Sequence, residues 1–259
     1  MKRVSRFLAF LLGLMLVMLP VSINWVMPGN AQSSQRSSQK PKTEVDRSQL
    51  KPFDEVIKDA TPLKGLFTLY QNQKSGKLFA EILPNQLDRN YLAAMTLESG
   101  VGERGIYSGL PIGDFLFNFR RINNNIQFVI PNIYFRADRG TPIERSIQRS
   151  FSDSILESLP IRSIHAERKS FLVELNPLLL SDLPGLLPVL SKSLEGNYTP
   201  EPSTSYFDKV KAFPQNVEVE SVFGFTGNGK DEGFPTYIET LPDSRAFGLK
   251  VRYSLSELP

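Results

Sequence analysis

The chain has 259 residues, room for one or two domains, with 41% hydrophobic and 22% charged residues, an ordinary globular balance. It contains no cysteine and a single histidine, which excludes disulfides, thiolate metal sites, a cysteine nucleophile and a lipid anchor on Cys, and leaves too few imidazoles for the usual catalytic zinc set. The net charge is +3, but Lys2, Arg3 and Arg6 stand at the extreme N-terminus ahead of the first acidic residue, Glu44; without them the chain is neutral, so no electrostatic case for a nucleic-acid partner exists.

Residues 1–31 begin with that basic stretch and run into apolar sequence from Phe7 to about Val26, followed by small residues at Gly29 and Ala31. This is the pattern of a secretory signal peptide cut after Ala31, and it predicts a secreted or periplasmic protein. An uncleaved membrane anchor is the alternative, because the apolar run is nearly long enough to span a bilayer. Residues 32–51 are dominated by Ser, Gln, Lys and Arg without apolar period, and read as a disordered linker.

Residues 52–259 read as one β-rich domain. A short helix is expected from Pro52 to Ala60, with Phe53, Val56 and Ile57 on one face. Phe67 and Leu69, a turn at Lys74 to Lys77 and a return through Leu78 to Ile82 predict a hairpin. Asn85 to Arg89 reads as a helical turn and Asn90 to Ser99 as a strand. Asp114 to Ile122 alternates Phe115, Phe117 and Phe119 with Leu116, Asn118 and Arg120; a turn at Asn123 to Asn125 then leads into a strand over Ile126 to Asp138. Thr141 to Ser152 reads as a helix with Pro142 in its first turn. Strands follow near Pro160 to Ala166 and Ser170 to Leu175. Leu178 to Leu194, broken by Pro184, Gly185 and Pro188, predicts two short helices or an irregular lid. Tyr206 to Gly227 contributes one strand through Val217, Val219, Ser221, Phe223 and Phe225. Ala246 to Pro259 alternates Leu249, Val251, Tyr253 and Leu255 as a final strand. The expected class is α+β, a predominantly antiparallel sheet with a few short helices.

No catalytic, cofactor-binding or metal-binding residue is assigned. Gly100-Val101-Gly102-Glu103-Arg104-Gly105 is a literal GxGxxG after a strand, but Gly109 and Pro111 follow where a dinucleotide loop needs a helix, so it reads as a loop between strands. His165 lacks both a nucleophile elbow and partner imidazoles, and reads as a strand-end residue near a turn. Glu81, Glu98, Asp114, Glu174 and Asp182 lie in or beside apolar segments, where a pair could act as acid and base; solvated faces and helix caps are the simpler reading. Asn197-Tyr198-Thr199 matches a glycosylation acceptor, informative only along a eukaryotic secretory route.

The order of segments resembles the N-terminal region of large secreted bacterial zinc-dependent metalloproteases of the metzincin type, in which a β-rich domain of unknown function precedes the protease domain. The stretches that carry this are KSGKLFAEI, QLDRNYLAAMTLESGVG, GDFLFNFRRINNNIQFVIPNIYFRAD, RSFSDSILESLPI, FLVELNPLLLSDLPGL, FPQNVEVESVFGF and KVRYSLSELP, covering about Phe53 to Pro259. The resemblance implies a catalytic HExxHxxGxxH domain after the last strand, and this chain has none, so no catalytic residue carries over and no cofactor is expected. The expectation is a non-catalytic accessory domain of a truncated or split protease. Its partner would be a separately encoded catalytic domain docking on an unpaired C-terminal strand near Val251 to Leu255. The competing expectation is an independent periplasmic or surface module that binds a peptide or apolar ligand, with 178–194 as a lid. An enzyme working through its carboxylates is the third.

Overall fold

A computed structural model describes residues 50–229 and 237–258. The signal-peptide and linker readings lie outside those residues, except that Leu50 and Lys51 are described. Residues 42–259 form a compact unit.

Among the described residues eleven strands make one sheet, and every ladder between neighbouring strands is antiparallel. The strands are β1 (Thr61–Leu63), β2 (Thr68–Asn72), β3 (Lys77–Ile82), β4 (Tyr91–Ser99), β5 (Leu110–Ile122), β6 (Asn125–Ile130), β7 (Ser154–Ile164), β8 (Phe171–Glu174), β9 (Gly196–Ala212), β10 (Asn216–Gly229) and β11 (Ala246–Glu257). The helices are α1 (Phe53–Ile57), α2 (Pro142–Ser150), α3 (Asn176–Leu179) and α4 (Leu186–Ser193), with a 3-10 turn at Pro84–Gln86. Spatial order is β1-β2-β3-β8-β7-β6-β5-β4-β11-β10-β9. The sheet curls into a half-barrel.

The period-2 segments dictate the inner face. Leu78, Ala80 and Ile82 of β3, Phe117 and Phe119 of β5, Ile126 and Phe128 of β6, Tyr91, Ala93, Met95 and Leu97 of β4, and Leu249, Val251, Tyr253 and Leu255 of β11 all enter one core. Aromatic contacts knit it: Phe117 stacks on Phe128 at 4.6 Å between ring centres, and Phe67 meets Tyr91 and Phe119 edge-on at 5.0 and 5.4 Å. The Leu-rich segment fills the concave side. Two short helices form as expected, although the first starts earlier, at Asn176, and Leu178, Leu179, Leu186, Leu190 and Leu194 are all buried in this core as packing. Asp182 holds α4 in place by accepting from the amides of Leu186 and Leu187 at 2.6 and 3.1 Å.

A second, smaller cluster lies on the outer face. Tyr70, Phe79 and Leu172 project from β2, β3 and β8 against Phe53 of α1, with Val56 and Ile57 beside them. β3 is therefore covered on both faces, and its buried residues run without a break from Leu78 to Ile82.

Several elements differ from expectation. β6 stops at Ile130, because Pro131 cannot donate to a ladder, and 131–138 is irregular. β5 and β7 are longer than expected. β1 and β9 carry no apolar period and were not anticipated; they are the two edges of the sheet. Each contains proline, Pro62 in β1 and Pro200 and Pro202 in β9, which is tolerated at an edge and blunts it against further pairing. The expected docking edge at Val251 to Leu255 is corrected outright. β11 pairs with β10 on one side and β4 on the other, so its backbone groups are spent inside the sheet. The two ends of the sheet approach each other where Leu66 N donates to Phe213 O at 2.7 Å.

Candidate functional site

The strongest chemical cluster surrounds Glu81, on the outer face of β3 and only 4% exposed. The alternation that buries Phe79 on this face buries Glu81 beside it, where an unpaired charge would be very costly. Three side chains meet the cost. Arg168, from the turn between β7 and β8, donates through Nε to Oε1 at 2.6 Å and through Nη2 to Oε2 at 3.2 Å. Tyr70 Oη donates to Oε2 at 2.8 Å, and Ser170 Oγ donates to Oε1. Burial pushes the Glu81 carboxyl up, but donation from Arg168, Ser170 and Tyr70 outweighs it and the group sits below its usual range. Tyr70 is driven the other way, to about 12, by burial first and then by its bond to Glu81.

A cleft of about 300 Å³ opens beside this cluster, lined by Tyr70, Glu81 and Arg168 together with Lys64, Thr68 and Gln86. Gln86 Nε2 donates to Leu66 O at 2.5 Å, fixing the far wall. The arrangement holds a fixed negative charge under a half-exposed guanidinium. Glu81, ionised and saturated with donors, is a poor base, and Tyr70 is a poor acid near neutral pH.

The other carboxylates separate. Glu174 accepts from Lys77 and Arg162 at 3.4 and 3.1 Å; Glu98 pairs with Arg252 at 3.1 Å; Asp114 is exposed on β5; Asp182 caps α4. Surface ion pairs, a solvated face and a cap thus account for four of the five candidates, with Glu174 the more enclosed of the paired ones, while Glu81 is a buried ion pair. Its partner Arg168 carries no signal in the sequence, because it arrives from a turn 87 residues away. His165 is at a strand end, as expected: its Nδ1 accepts from the amides of Glu167 and Arg168 at 3.2 Å each, and its ring meets Phe53 edge-on at 5.1 Å. Among the described residues no group of three or more His, Asp and Glu is placed to hold a metal.

The GxGxxG stretch is a loop between β4 and β5. The amides of Val101 and Gly102, which would face a phosphate, both donate to Ile106 O at 3.0 and 3.2 Å. Asn197 is exposed on β9, while Tyr198 beside it is buried with its hydroxyl toward Ser244 O.

Residues 109–259, from just before β5 through β11, match the family described as a domain of unknown function, DUF5117. The chain belongs to the DUF5117 family. No curated protein and no solved structure matches it. The DUF5117 segment takes in seven of the eleven strands and all the Leu-rich packing helices, whereas Glu81 lies ahead of it and Arg168 within it. The candidate site therefore joins the family segment to the strands that precede it.

Proposed function

We propose that this chain is a non-catalytic, secreted accessory domain, related to the N-terminal region of secreted zinc-dependent metalloproteases and working with a separately encoded catalytic chain. The non-catalytic part rests on one observation: Glu81, the most enclosed carboxylate among the described residues, is occupied by Arg168, Tyr70 and Ser170 and has no free role as base or acid. His165, the single imidazole of the chain, has its Nδ1 engaged by two backbone amides. The protease relation and the secreted location rest on the sequence, through segment order and the N-terminal leader. A partner does not add to β11, whose two sides are paired.

The test is to purify the chain, measure zinc and casein hydrolysis, and capture partners from the culture that secretes it. The expected result is sub-stoichiometric zinc, no hydrolysis, and recovery of an HExxH-bearing polypeptide. Stoichiometric zinc with peptide-bond cleavage by the pure chain overturns it.

The second reading is a peptide-binding module, and the cleft beside Glu81 favours it: Lys64 and Arg168 on its wall suit a peptide carboxylate. An apolar ligand beneath 178–194 is less favoured, because those leucines already fill the interior. Thermal shifts with a panel of acidic peptides test this reading; no shift across the panel counts against it.

A further inference from the structure

Residues 131–156 run from the end of β6 into the first residues of β7 and carry the helix α2. This helix is well formed: Thr141 Oγ1 accepts from Glu144 N at 3.1 Å, Pro142 opens the first turn, and Glu144 reaches back to Gly140 N at 2.6 Å. Yet α2 buries no residue at all. Ile143 and Ile147, four residues apart, share one face of α2, Arg145 and Arg149 occupy the opposite one, and Phe151 follows the helix as its extended C-cap residue. The apolar face continues onto neighbouring chain. Phe135 stacks on Phe151 at 3.7 Å, and Tyr134 beside it is 89% exposed. This is an extended apolar patch, of the kind that marks an interaction surface.

Charge indicates what the patch meets. The exposed charged residues of 131–156 are Arg136, Arg139, Arg145 and Arg149 against Asp138 alone. The remaining acids of the segment are half-buried and engaged: Glu144 caps α2, and Asp153 accepts from Arg120 at 2.9 Å and from Asn132 N at 3.0 Å. None of the four arginines makes an ion pair among the described residues. A short helix with a basic polar face, an apolar opposite face and aromatic neighbours is the pattern of a segment that lies in a lipid interface. We infer that residues 131–156 dock the domain on an anionic lipid surface, with Tyr134, Phe135, Ile143 and Phe151 entering the headgroup boundary and the arginines meeting lipid phosphates. This inference does not depend on the metalloprotease reading.

The experiment uses residues 42–259, a compact unit that contains both hydrophobic clusters whole. The chain's one tryptophan, Trp25, lies in the leader and is absent from this fragment. Tyr134→Trp therefore gives a sole reporter on the segment, and Tyr206→Trp, exposed on β9, a control. Each is titrated with vesicles of phosphatidylglycerol and phosphatidylcholine in equal parts, and with pure phosphatidylcholine. The Tyr134→Trp emission shifts to the blue on the anionic vesicles and is quenched by brominated lipid, while the Tyr206→Trp emission does not move. Each Arg→Gln change at 136, 139, 145 or 149 weakens partitioning by about fivefold. All these sites are exposed, and circular dichroism confirms that the variants fold. Unmoved emission of the Tyr134→Trp protein on anionic vesicles overturns the proposal and turns the patch toward a protein partner. An equal shift of the Tyr206→Trp control also overturns it.

Discussion

Arg168 grips Glu81 with two bonds, Nε to Oε1 at 2.6 Å and Nη2 to Oε2 at 3.2 Å, and so fastens the β7–β8 turn to β3. The pair is asymmetric. The Glu81 side chain is 5% accessible and that of Arg168 46%. Losing the arginine strands a buried charge, whereas losing the glutamate frees a guanidinium that water can reach.

Arg168→Met is accordingly expected to destabilise the domain by about 2–4 kcal/mol, the cost of an uncompensated buried carboxylate reduced for the exposure of its partner. Urea unfolding followed by circular dichroism measures it. Glu81→Gln, whose amide oxygen still accepts from one of the two hydroxyls while its NH2 donates to the other, should cost clearly less. Equal costs for the two changes would show that burial of Glu81 is not what the pair resolves.

The same cluster sets an acid limb. The folded Glu81 carboxyl lies below its unfolded value, so its contribution is fully present above about pH 5 and is lost as pH falls through the folded value. Asp153, lowered first by donation from Asn132 N and then by Arg120, acts in the same direction. Urea midpoints taken from about pH 6 down to about pH 3 should fall, and the fall should be shallower in Glu81→Gln. Tyr70 has the opposite sense. Its folded value of about 12 exceeds the unfolded one, so the stability it lends holds below about pH 10 and fades as pH rises through 12. Tyrosinate absorbance should show the Tyr70 phenol ionising late, and Tyr70→Phe should remove that step.

Tyr253 is fully buried, and its hydroxyl has no hydrogen-bond partner among the described residues. Tyr253→Phe keeps the ring and removes an orphaned polar group. We expect a change between neutral and about 1 kcal/mol more stable, read from the urea midpoint. A loss of 2 kcal/mol or more, on the order expected for a buried bonded hydroxyl, would mean that the group is satisfied in solution.

Gly65 lies where the two ends of the sheet meet. A Cβ there would stand 2.6 Å from both the N and the O of Phe213. Gly65→Ala should therefore push the β1–β2 connection off β9 and cost about 1–3 kcal/mol, with earlier exchange of the Leu66 amide, which donates to Phe213 O. Gly76→Ala, at a turn with nothing within 4 Å but with φ +67, is the comparison: its cost comes from backbone strain and should leave the Leu66 amide protected.

The sequence alone determined which residues enter the core, and did so wherever the chain lies half-buried. Period-2 runs such as Leu249-Val251-Tyr253-Leu255 need no partner to announce the face they bury, and the turn at Asn123, with φ +53, is likewise local chemistry. The absence of a cysteine and the single imidazole were legible in the same way. Three things were decided only by the tertiary structure. β9 and β1 were invisible, because an edge strand is defined by its neighbour's free backbone groups and needs no apolar alternation of its own. The last strand looked like an edge because strand order is not written along the chain; residues 151 positions apart, Lys250 and Ser99, pair to enclose it. Glu81 looked like one more carboxylate until the β7–β8 turn brought Arg168 to it. Such an encounter depends on the sheet's order and curl, a property of long-range closure that no local pattern of residues encodes.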